Sequence, residues 1–503
     1  MSNRTSAFVL VATLFASLVS AQAQTPRPLA RLDTNSRDLL LSAMGWGDRY
    51  WDDQLALLRS FDRGRMPRHL VRETSWYALG LLQRGSPGDA ERAIRALRAV
   101  LGKQFHEPGE RWDGTFLRSP EEPHPAPSAE MWTNYDPNWR EFIGTTFAII
   151  LLDYRKQLPA ELIRNLEDSI RHAIEGEIRE KRLSPRYTNI SLMYGFLWSY
   201  AARQLGRSEW RQPSEEWIST VLNQFKEHNS FDEFNSPTYY GVDLYGLALW
   251  RVHGVTPEIR QKGSEMEAAL WRSIASFYHA GLKNIAGPYD RSYGMDMRKY
   301  VSVTGLWLRL VLGVELAPFP PLEKPLEHGN DLIFAPLAVS LGAMIPADAM
   351  SVFRNFPGEH LVTQGLPGNR VATAWLGQNV MLGGEFTGLT RDAGSPRSQF
   401  HPATVHWRMP NGDVGWIRLI ECPRVDVRAE KDKLNITSVA GNLRFRVHAP
   451  SANKEHLKRD RWQLPGLNVT LQTDANTSES SPVEDDLDVI YRNATNIALQ
   501  IAR

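Results

Sequence analysis

Residues 231–250 read FDEFNSPTYYGVDLYGLALW, and the two halves of this stretch differ in character. The second half, GVDLYGLALW, has apolar residues at helical spacing, which predicts a helix that packs in a core. The first half, FDEFNSPTYY, places two carboxylates, an amide, two hydroxyls and two adjacent phenols around a proline. A buried helix with such a polar start predicts that this start lies in the wall of a cleft.

Similar helices recur along the first three hundred residues. Segments that are poor in charge and have a polar start begin at Glu73, Asn138, Asn189 and Ser292. Segments that are charged on one side begin near Pro87, Pro159, Pro213 and Pro257, where proline suits the first helical turn. The two kinds alternate with a period of about fifty residues, which is typical of a repeated helical hairpin.

This repeat predicts an (α/α) toroid, an incomplete helical barrel, over residues 30–315. An open α-solenoid has the same repeat, but a closed ring brings the polar helix starts together and is therefore favoured. Residues 316–331 form a proline-rich linker. From residue 332 to 503, short alternating segments predict an antiparallel β-sandwich. Its predicted hairpin turns are Asn411-Gly412 and Ala440-Gly441-Asn442.

The composition is that of an ordinary globular protein, with 42% hydrophobic and 23% charged residues in a chain of 503. The net charge of +1 gives no indication of a nucleic-acid or membrane partner. Residues 1–23 combine an early arginine, a short apolar run and a small-x-small end, which predicts a signal peptide and an extracellular, secreted protein. Cys422 is the single cysteine, so no intramolecular disulfide can form.

Beyond the predicted signal peptide, five N-x-S/T triplets are possible glycosylation sites and weakly suggest a glycoprotein from a eukaryotic host. They begin at Asn189, Asn435, Asn468, Asn476 and Asn493. A glycan at the start of an inner helix would block the predicted cleft, so we expect Asn189 to be unmodified.

The starts of the inner helices are rich in amides, phenols, guanidinium groups and indoles. The candidate site residues among them are Trp132, Asn134, Asn138, Trp139, Arg186, Asn189, Asn235, Tyr239, Tyr240, Arg291 and Tyr293. Indoles stack on sugar rings, and amides or guanidinium groups bind carboxylates. The set suits β-elimination in a uronic-acid polymer, in which the carboxylate is neutralised before the C5 proton leaves. A tyrosine could be base and then acid, since a nearby arginine favours its phenolate.

Four short segments resemble the chondroitin AC/hyaluronan-type lyases. NWREFIGTTFAIIL, from Asn138, is similar to the NWW-x-x-EIG-x-P segment of these enzymes, and TNISL, from Thr188, to their helix start with the carboxylate-binding asparagine. FDEFNSPTYYG resembles their segment with the catalytic histidine and tyrosine, and DRSYGMD, from Asp290, their arginine-bearing segment. The resemblance covers most of residues 130–300 and implies a toroid followed by β-sandwich domains.

The resemblance also implies roles for individual residues. Asn189 and Arg291 would neutralise the substrate carboxylate, and either Tyr239 or Tyr240 would transfer the proton. This sequence has Asn235 or Ser236 where the family has its histidine, and Asn235 would support the substrate or the base. The other candidates, Trp132, Asn134, Asn138, Trp139, Arg186 and Tyr293, would bind substrate.

Two other functions fit the same fold. A glycoside hydrolase needs two carboxylates across the glycosidic bond, for which the candidates are Glu141, Asp232, Glu233, Asp243 and Asp290. A catalytically inactive carbohydrate-binding protein is the third possibility. The histidines show no metal-site spacing, and no cofactor is expected. We expect a monomer whose partner is an acidic polysaccharide or oligosaccharide, with no nucleic acid and no membrane involved.

Overall fold

The computed structural model describes residues 29–62, 68–393 and 399–502. The predicted signal peptide, residues 1–23, lies outside these ranges, so secretion remains a prediction. Within them, no helix is both long enough and apolar enough to cross a membrane.

The first part of the chain is helical. Its helices are α1 (Thr34–Tyr50), α2 (Val71–Arg84), α3 (Asp89–Leu101), α4 (Trp139–Asp153), α5 (Ala160–Glu180), α6 (Thr188–Gln204), α7 (Arg211–His228), α8 (Tyr239–His253), α9 (Pro257–Phe277), α10 (Val303–Leu316), α11 (Ala335–Leu341) and α12 (Ala347–Arg354). Three very short strands, β1 (Trp51–Asp52), β2 (Leu57–Arg59) and β3 (His69–Leu70), form one small sheet, and β4 (Tyr278–His279) pairs with β5 (Asn284–Ile285).

The helices form the predicted two-layered toroid. In the inner layer α2, α4, α6, α8 and α10 contact one another in succession, and α1 closes the ring by packing against both α10 and α2. In the outer layer α3, α5, α7 and α9 each pack against the preceding or following inner helix, while α11 contacts α1, α2, α8 and α10. The closed contacts exclude an open solenoid.

The two layers differ as their sequences predict. The inner helix α4 is buried at every position from Trp139 to Leu151, because it packs on all sides. The outer helix α5 is buried along one stripe that includes Leu162, Leu166 and Ile170, and most of its charged residues lie on the more exposed side. The alternation of apolar and amphipathic segments was therefore sufficient to predict that α2, α4, α6 and α8 are inside, whereas α1 was not predicted.

The last inner helix begins later than predicted. The sequence suggested a start at Ser292, whereas α10 begins at Val303, with Ser302 as the N-cap that accepts a hydrogen bond from Gly305 N–H. Met295, Met297 and Tyr300 are buried without forming a helix. Apolar residues at near-helical spacing can also line an irregular loop, and here they do.

The second part of the chain is a large antiparallel sheet. Its strands are β6 (His360–Leu366), β7 (Arg370–Leu376), β8 (Val380–Phe386), β9 (Ala403–Arg408), β10 (Val414–Glu421), β11 (Val425–Glu430), β12 (Lys433–His448), β13 (Arg461–Leu464), β14 (Leu467–Thr473), β15 (Thr477–Val483) and β16 (Asp486–Ala502). The strand order is β13-β14-β16-β12-β10-β9-β8-β7-β6, and β11 and β15 pair with β12 and β16 respectively. The first strand begins at His360, not at the predicted residue 332, because α11 and α12 still belong to the helical part.

The two long strands, β12 and β16, fold this sheet into two layers. The first half of β12 pairs with β11 and its second half with β10, with register shifts around Gly441. Strand β11 then packs against β7 and β8, which gives the sandwich. The predicted hairpin turn at Ala440-Gly441-Asn442 is therefore wrong, since this glycine marks an irregularity within a bent strand. The turn at Asn411-Gly412 is confirmed, with Gly412 at φ 84°.

The sheet is joined to the toroid through strands that are buried on both faces. Along β7, Ala372, Ala374 and Leu376 belong to the same apolar core as the helices, whereas Trp375 belongs to the core between the sheet layers. Side chains of successive strand residues point to opposite faces, so this strand connects the two cores. The site described below lies on the helical side of this junction.

Candidate functional site

A polar cavity of about 850 Å³ opens where the inner helices begin. Its wall contains the starts of α4, α6 and α8, the loop before α10, Arg418 of β10 and Gln399 of the loop before β9. Of the predicted site residues, the cavity is lined by Trp132, Asn138, Trp139, Asn189, Tyr239, Arg291 and Tyr293. The closed ring thus brings together side chains that lie far apart in the sequence.

Tyr239 is the first residue of α8 and faces the cavity. Its hydroxyl forms a short hydrogen bond with that of Tyr293, and the Arg291 guanidinium lies 4.1 Å from the centroid of its ring. The Tyr293 ring in turn stacks on His328, with centroids 4.6 Å apart and an interplanar angle of 14°. Phenol, guanidinium and imidazole therefore form one continuous group of side chains.

Burial raises the pKa of Tyr239 well above its usual range, and repulsion from Tyr293 adds to this effect. The positive charge of Arg291 lowers the pKa but does not offset burial. The sequence led us to expect that a nearby arginine would favour the phenolate. In the structure, burial outweighs the arginine and favours the protonated phenol. In the free protein Tyr239 therefore carries its proton at neutral pH.

Glu233 connects the two residues that were predicted to bind a carboxylate. Its Oε2 accepts hydrogen bonds from Asn189 Nδ2 at 2.8 Å and from Thr188 Oγ1 at 2.6 Å. Its Oε1 accepts from Arg291 Nη1 at 2.8 Å. Arg291 Nε donates to Gln399 Oε1 at 2.7 Å, so the guanidinium is fixed from two sides. Asn189 is 2% exposed, and its amide has no room for a glycan.

A second polar group lies at the start of α4. Asn138 donates to the Tyr187 hydroxyl at 3.1 Å and accepts from Arg182 Nη1 at 2.9 Å. Its side chain makes no capping hydrogen bond to α4, so it is not a simple N-cap. Trp139 is buried in the cavity wall, whereas Trp132 is 58% exposed at the rim. Trp132 is therefore the indole whose face is open to a sugar.

Four predicted site residues lie outside the cavity lining. Tyr240 is fully buried and packs edge-on against Phe234. Asn235, at φ 57°, donates to the carbonyls of Ala286 and Pro288 and so holds the loop that leads to Arg291. The other two, Asn134 and Arg186, are exposed at the surface. Asn134 accepts from the Glu130 N–H in a turn, and Arg186 lies 3.7 Å from Asp232.

Residues 37–343 match the family model described as "Domain of unknown function (DUF8769)". The chain belongs to this family. Residues 364–484 match a second model, "Domain of unknown function (DUF8770)". The two models together follow the division between the toroid and the sheet.

Among curated proteins none matches the chain. Solved structures with a similar backbone include two that are titled as heparinase III. The first shares 10% identity at a TM-score of 0.44 and covers 98% of this chain and 87% of that one. The second, with methylated lysines, shares 10% identity at a TM-score of 0.35 and covers 96% and 87%.

Sequence reasoning missed His328, which comes from the end of the predicted linker. This residue has a left-handed backbone at φ 54° and directly precedes a 3₁₀ helix, Gly329–Phe334. No periodic pattern surrounds it, so only the folded ring shows that it lies against Tyr293. Gln399 was missed for the same reason, since it reaches the cavity from the loop before β9.

Within the described ranges, no group of three or more His, Cys, Asp or Glu side chains is arranged to hold a metal ion. The side chains of the cavity can instead bind an anion through Asn189 and Arg291, donate a proton from Tyr239 and stack a ring on Trp132. His328 adds an imidazole, the group best suited to accept a proton near neutral pH.

Proposed function

We propose that the protein is a polysaccharide lyase that cleaves a uronic-acid-containing glycan by β-elimination. The observation that carries this proposal is the grouping of Tyr239, Arg291 and Asn189 in one cavity wall, with the guanidinium 4.1 Å from the phenol ring. A proton donor thus lies beside two groups that bind a carboxylate. This combination is what elimination from a uronate requires.

The chemistry explains why these groups are needed together. The C5 proton of a uronate becomes acidic only when the attached carboxylate is neutralised by hydrogen bonds or a positive charge. A base then removes that proton, a double bond forms between C4 and C5, and the C4–oxygen bond breaks. The leaving oxygen takes a proton from an acid. Asn189 and Arg291 would bind the carboxylate in this scheme.

The proton transfers are assigned to two residues. Tyr239, which is protonated in the free protein, would give its proton to the leaving oxygen. His328 would receive the C5 proton, since a neutral imidazole is an effective base near pH 7. Tyr293, which hydrogen-bonds Tyr239 and stacks on His328, would hold both side chains in place. Trp132 at the rim would bind a neighbouring sugar ring.

A glycoside hydrolase is the second candidate, and one observation supports it. Of the five carboxylates considered from the sequence, Glu233 is the one that lines the cavity. Burial also raises the pKa of Asp136 in the same wall, as a hydrolase acid would require. However, both Glu233 oxygens are held by donors of the chain, which leaves it poorly placed to attack or to activate water.

One assay separates the candidates. The protein is incubated with hyaluronan, chondroitin, heparosan, alginate and polygalacturonate, and both ultraviolet absorbance of an unsaturated product and new reducing ends are followed. A lyase produces both signals together on at least one polymer. Reducing ends without absorbance would replace the proposal with a hydrolase. Neither signal on any polymer, with a rise in melting temperature, would leave a binding protein.

A further inference from the structure

In the free protein, the donors assigned to the substrate carboxylate already hold a carboxylate that belongs to the chain itself. Asn189, Thr188 and Arg291 donate three hydrogen bonds of 2.6–2.8 Å to the two oxygens of Glu233. This is the hydrogen-bonding that a uronate carboxylate would have to receive at the same place. The cavity therefore contains a carboxylate position at these donors, and Glu233 fills it.

The surroundings of this position favour a negative charge independently of Glu233. Thr188 and Asn189 are the first residues of α6, a helix of seventeen residues, whose N-terminal end attracts anions. The guanidinium of Arg291 supplies a full positive charge on the other side. Since Glu233, Asn189 and Arg291 all line the cavity, a ligand in the cavity can reach these donors once Glu233 leaves them.

Glu233 is also held in a way that permits its departure. Its side chain is 17% exposed and that of Arg291 is 36% exposed, so neither is sealed in the core. It belongs to the segment before α8, and the bonds that hold its carboxylate are those to Thr188, Asn189 and Arg291. Moving this side chain towards the cavity therefore requires these three hydrogen bonds to break.

We propose that Glu233 is an internal competitor that occupies the carboxylate position until a uronate polymer displaces it. This inference rests on the proposed function, which identifies the incoming group as a uronate. A tethered carboxylate acts at a high effective concentration, so a free uronate or another small anion competes poorly. A longer chain gains further contacts, such as stacking on Trp132, and can offset the displacement. Glu233 would thus select polymers over free acids.

The test is a comparison of ligand binding among variants. Wild type, Glu233→Ala, Glu233→Gln and Asp232→Asn are titrated with sodium glucuronate and with glucose at one neutral pH by calorimetry. Asp232→Asn is the matched control, because it removes a neighbouring negative charge. Asp232 pairs with Arg186 outside the cavity and holds none of the three donors. Glucose reports any gain that comes only from added space.

We expect Glu233→Ala to bind glucuronate about tenfold more tightly than wild type, because donors to a charged group are released. Glu233→Gln should change in the same direction by less, and Asp232→Asn should equal wild type. Glucose should bind equally weakly to all four. A Glu233→Ala protein with unchanged folding and no gain for glucuronate overturns the proposal, as does an equal gain for glucose. If Glu233→Ala does not fold, Glu233→Gln decides by the same criterion.

This outcome is distinguishable from failure of the proposed function. A gain for glucuronate in Glu233→Ala, with no unsaturated product from any polymer, would remove the lyase and keep the carboxylate position. Unsaturated product from wild type, without that gain, would keep the lyase and remove the competitor.

Discussion

Tyr239 and Tyr240 are adjacent in the sequence but lie in different environments. Successive residues of an α-helix are turned by about 100°, so Tyr239 faces the cavity while Tyr240 points into the core. The sequence left open which of the two is chemical, because both stand at the start of the same helix. The position of the helix within the ring decides this point, and no local pattern could.

Replacing each tyrosine by phenylalanine tests this assignment. We expect Tyr239→Phe to lower kcat by about a hundredfold or more, because the acid for the leaving oxygen is lost. Tyr240→Phe should stay within about threefold of wild type, since a single buried hydroxyl has only a modest effect. The measurement is the initial rate of unsaturated product on the best polymer. Equal rates for Tyr239→Phe and wild type would remove Tyr239 from the mechanism.

Asp153 and His253 are two titratable residues that lie close together. They are the last residues of α4 and α8, at the opposite ends of these helices from the cavity. Their Oδ2 and Nε2 atoms are 3.6 Å apart. Burial raises the pKa of Asp153 to about 7 and lowers that of His253 to about 4. Each group is thus neutral in the folded protein over a range in which it is charged in the unfolded chain.

The two shifts have opposite effects on stability. From about pH 4 to 7 the folded state keeps a proton on Asp153 that the unfolded chain has lost, so stability falls as pH rises. His253 contributes a gain with rising pH between about 4 and 6.5. We therefore expect Asp153→Asn to melt higher than wild type at about pH 8 and nearly equally at about pH 4.

The control for this prediction is Asp168→Asn, which removes an exposed carboxylate that pairs with Arg171 at the surface. Its melting temperature should follow that of wild type at both pH values. A lower melting temperature of Asp153→Asn at about pH 8 would contradict the prediction. It would show that attraction to a protonated His253 exceeds the cost of burying the charge.

Among the elements, α8 depends on a close approach to α10. A Cβ added at Gly241 would lie 2.4 Å from both the Thr304 amide nitrogen and the Val303 carbonyl carbon. These are backbone atoms, which cannot rotate away as a side chain can. The Trp307 indole also donates to the Gly241 carbonyl at 2.8 Å. Glycine at this place therefore sets the distance between two inner helices and the position of Tyr239.

We expect Gly241→Ala to destabilise the protein by about 3 kcal/mol, as overpacking does, and to lower kcat because the start of α8 moves. Gly45→Ala is the matched control, since Gly45 lies in α1 and a Cβ there meets no atom within 4 Å. The control should be neutral or more stable by up to about 1 kcal/mol through helix propensity. Melting curves and initial rates of both variants measure the difference, and equal effects would contradict it.

The helices and strands could be predicted from the sequence wherever the spacing of apolar residues stayed the same along the whole segment. The inner helices α4, α6 and α8 follow their apolar pattern closely. The pattern failed at Ser292, where buried methionines belong to a loop, and at Gly441, where a strand bends instead of turning back. In both places the conformation depends on contacts with distant segments, as between Gly441 and Pro423, which local spacing does not contain.

At the scale of the whole molecule, the toroid and the sheet are joined by a largely buried group of four ionisable side chains. Asp290, from the loop of the helical part, accepts two hydrogen bonds of 3.0 Å from Arg370 in β7 and a short one from Arg391. Both arginines also donate to Glu385 in β8. Burial and the neighbouring carboxylate raise the pKa of Glu385 to about 8.

This junction reaches the candidate site directly. Asp290 precedes Arg291 in the chain and also accepts a hydrogen bond from the Phe234 N–H at 3.3 Å. It therefore ties the loop with the guanidinium to the segment with Glu233. The loop before β9 also supplies Gln399 to Arg291. A site that looks helical in the sequence is thus completed by the second domain, which explains why helix starts alone predicted only part of it.

Arg370→Met tests whether the junction supports both stability and the site. The substitution leaves two buried carboxylates with less compensation, so we expect a loss of about 3–5 kcal/mol. We also expect lower kcat, because the Arg291 loop is no longer fixed from the sheet.

The control is Lys299→Met, which removes an exposed pair of 3.2 Å with Asp413 across the same two domains. Its expected cost is about 0–1 kcal/mol, with an unchanged rate. Thermal unfolding and initial rates of the full-length variants supply both measurements. If Arg370→Met lost stability but kept the wild-type rate, the junction would have a structural role alone. The position of Arg291 would then depend on Glu233 and Gln399 and not on the junction.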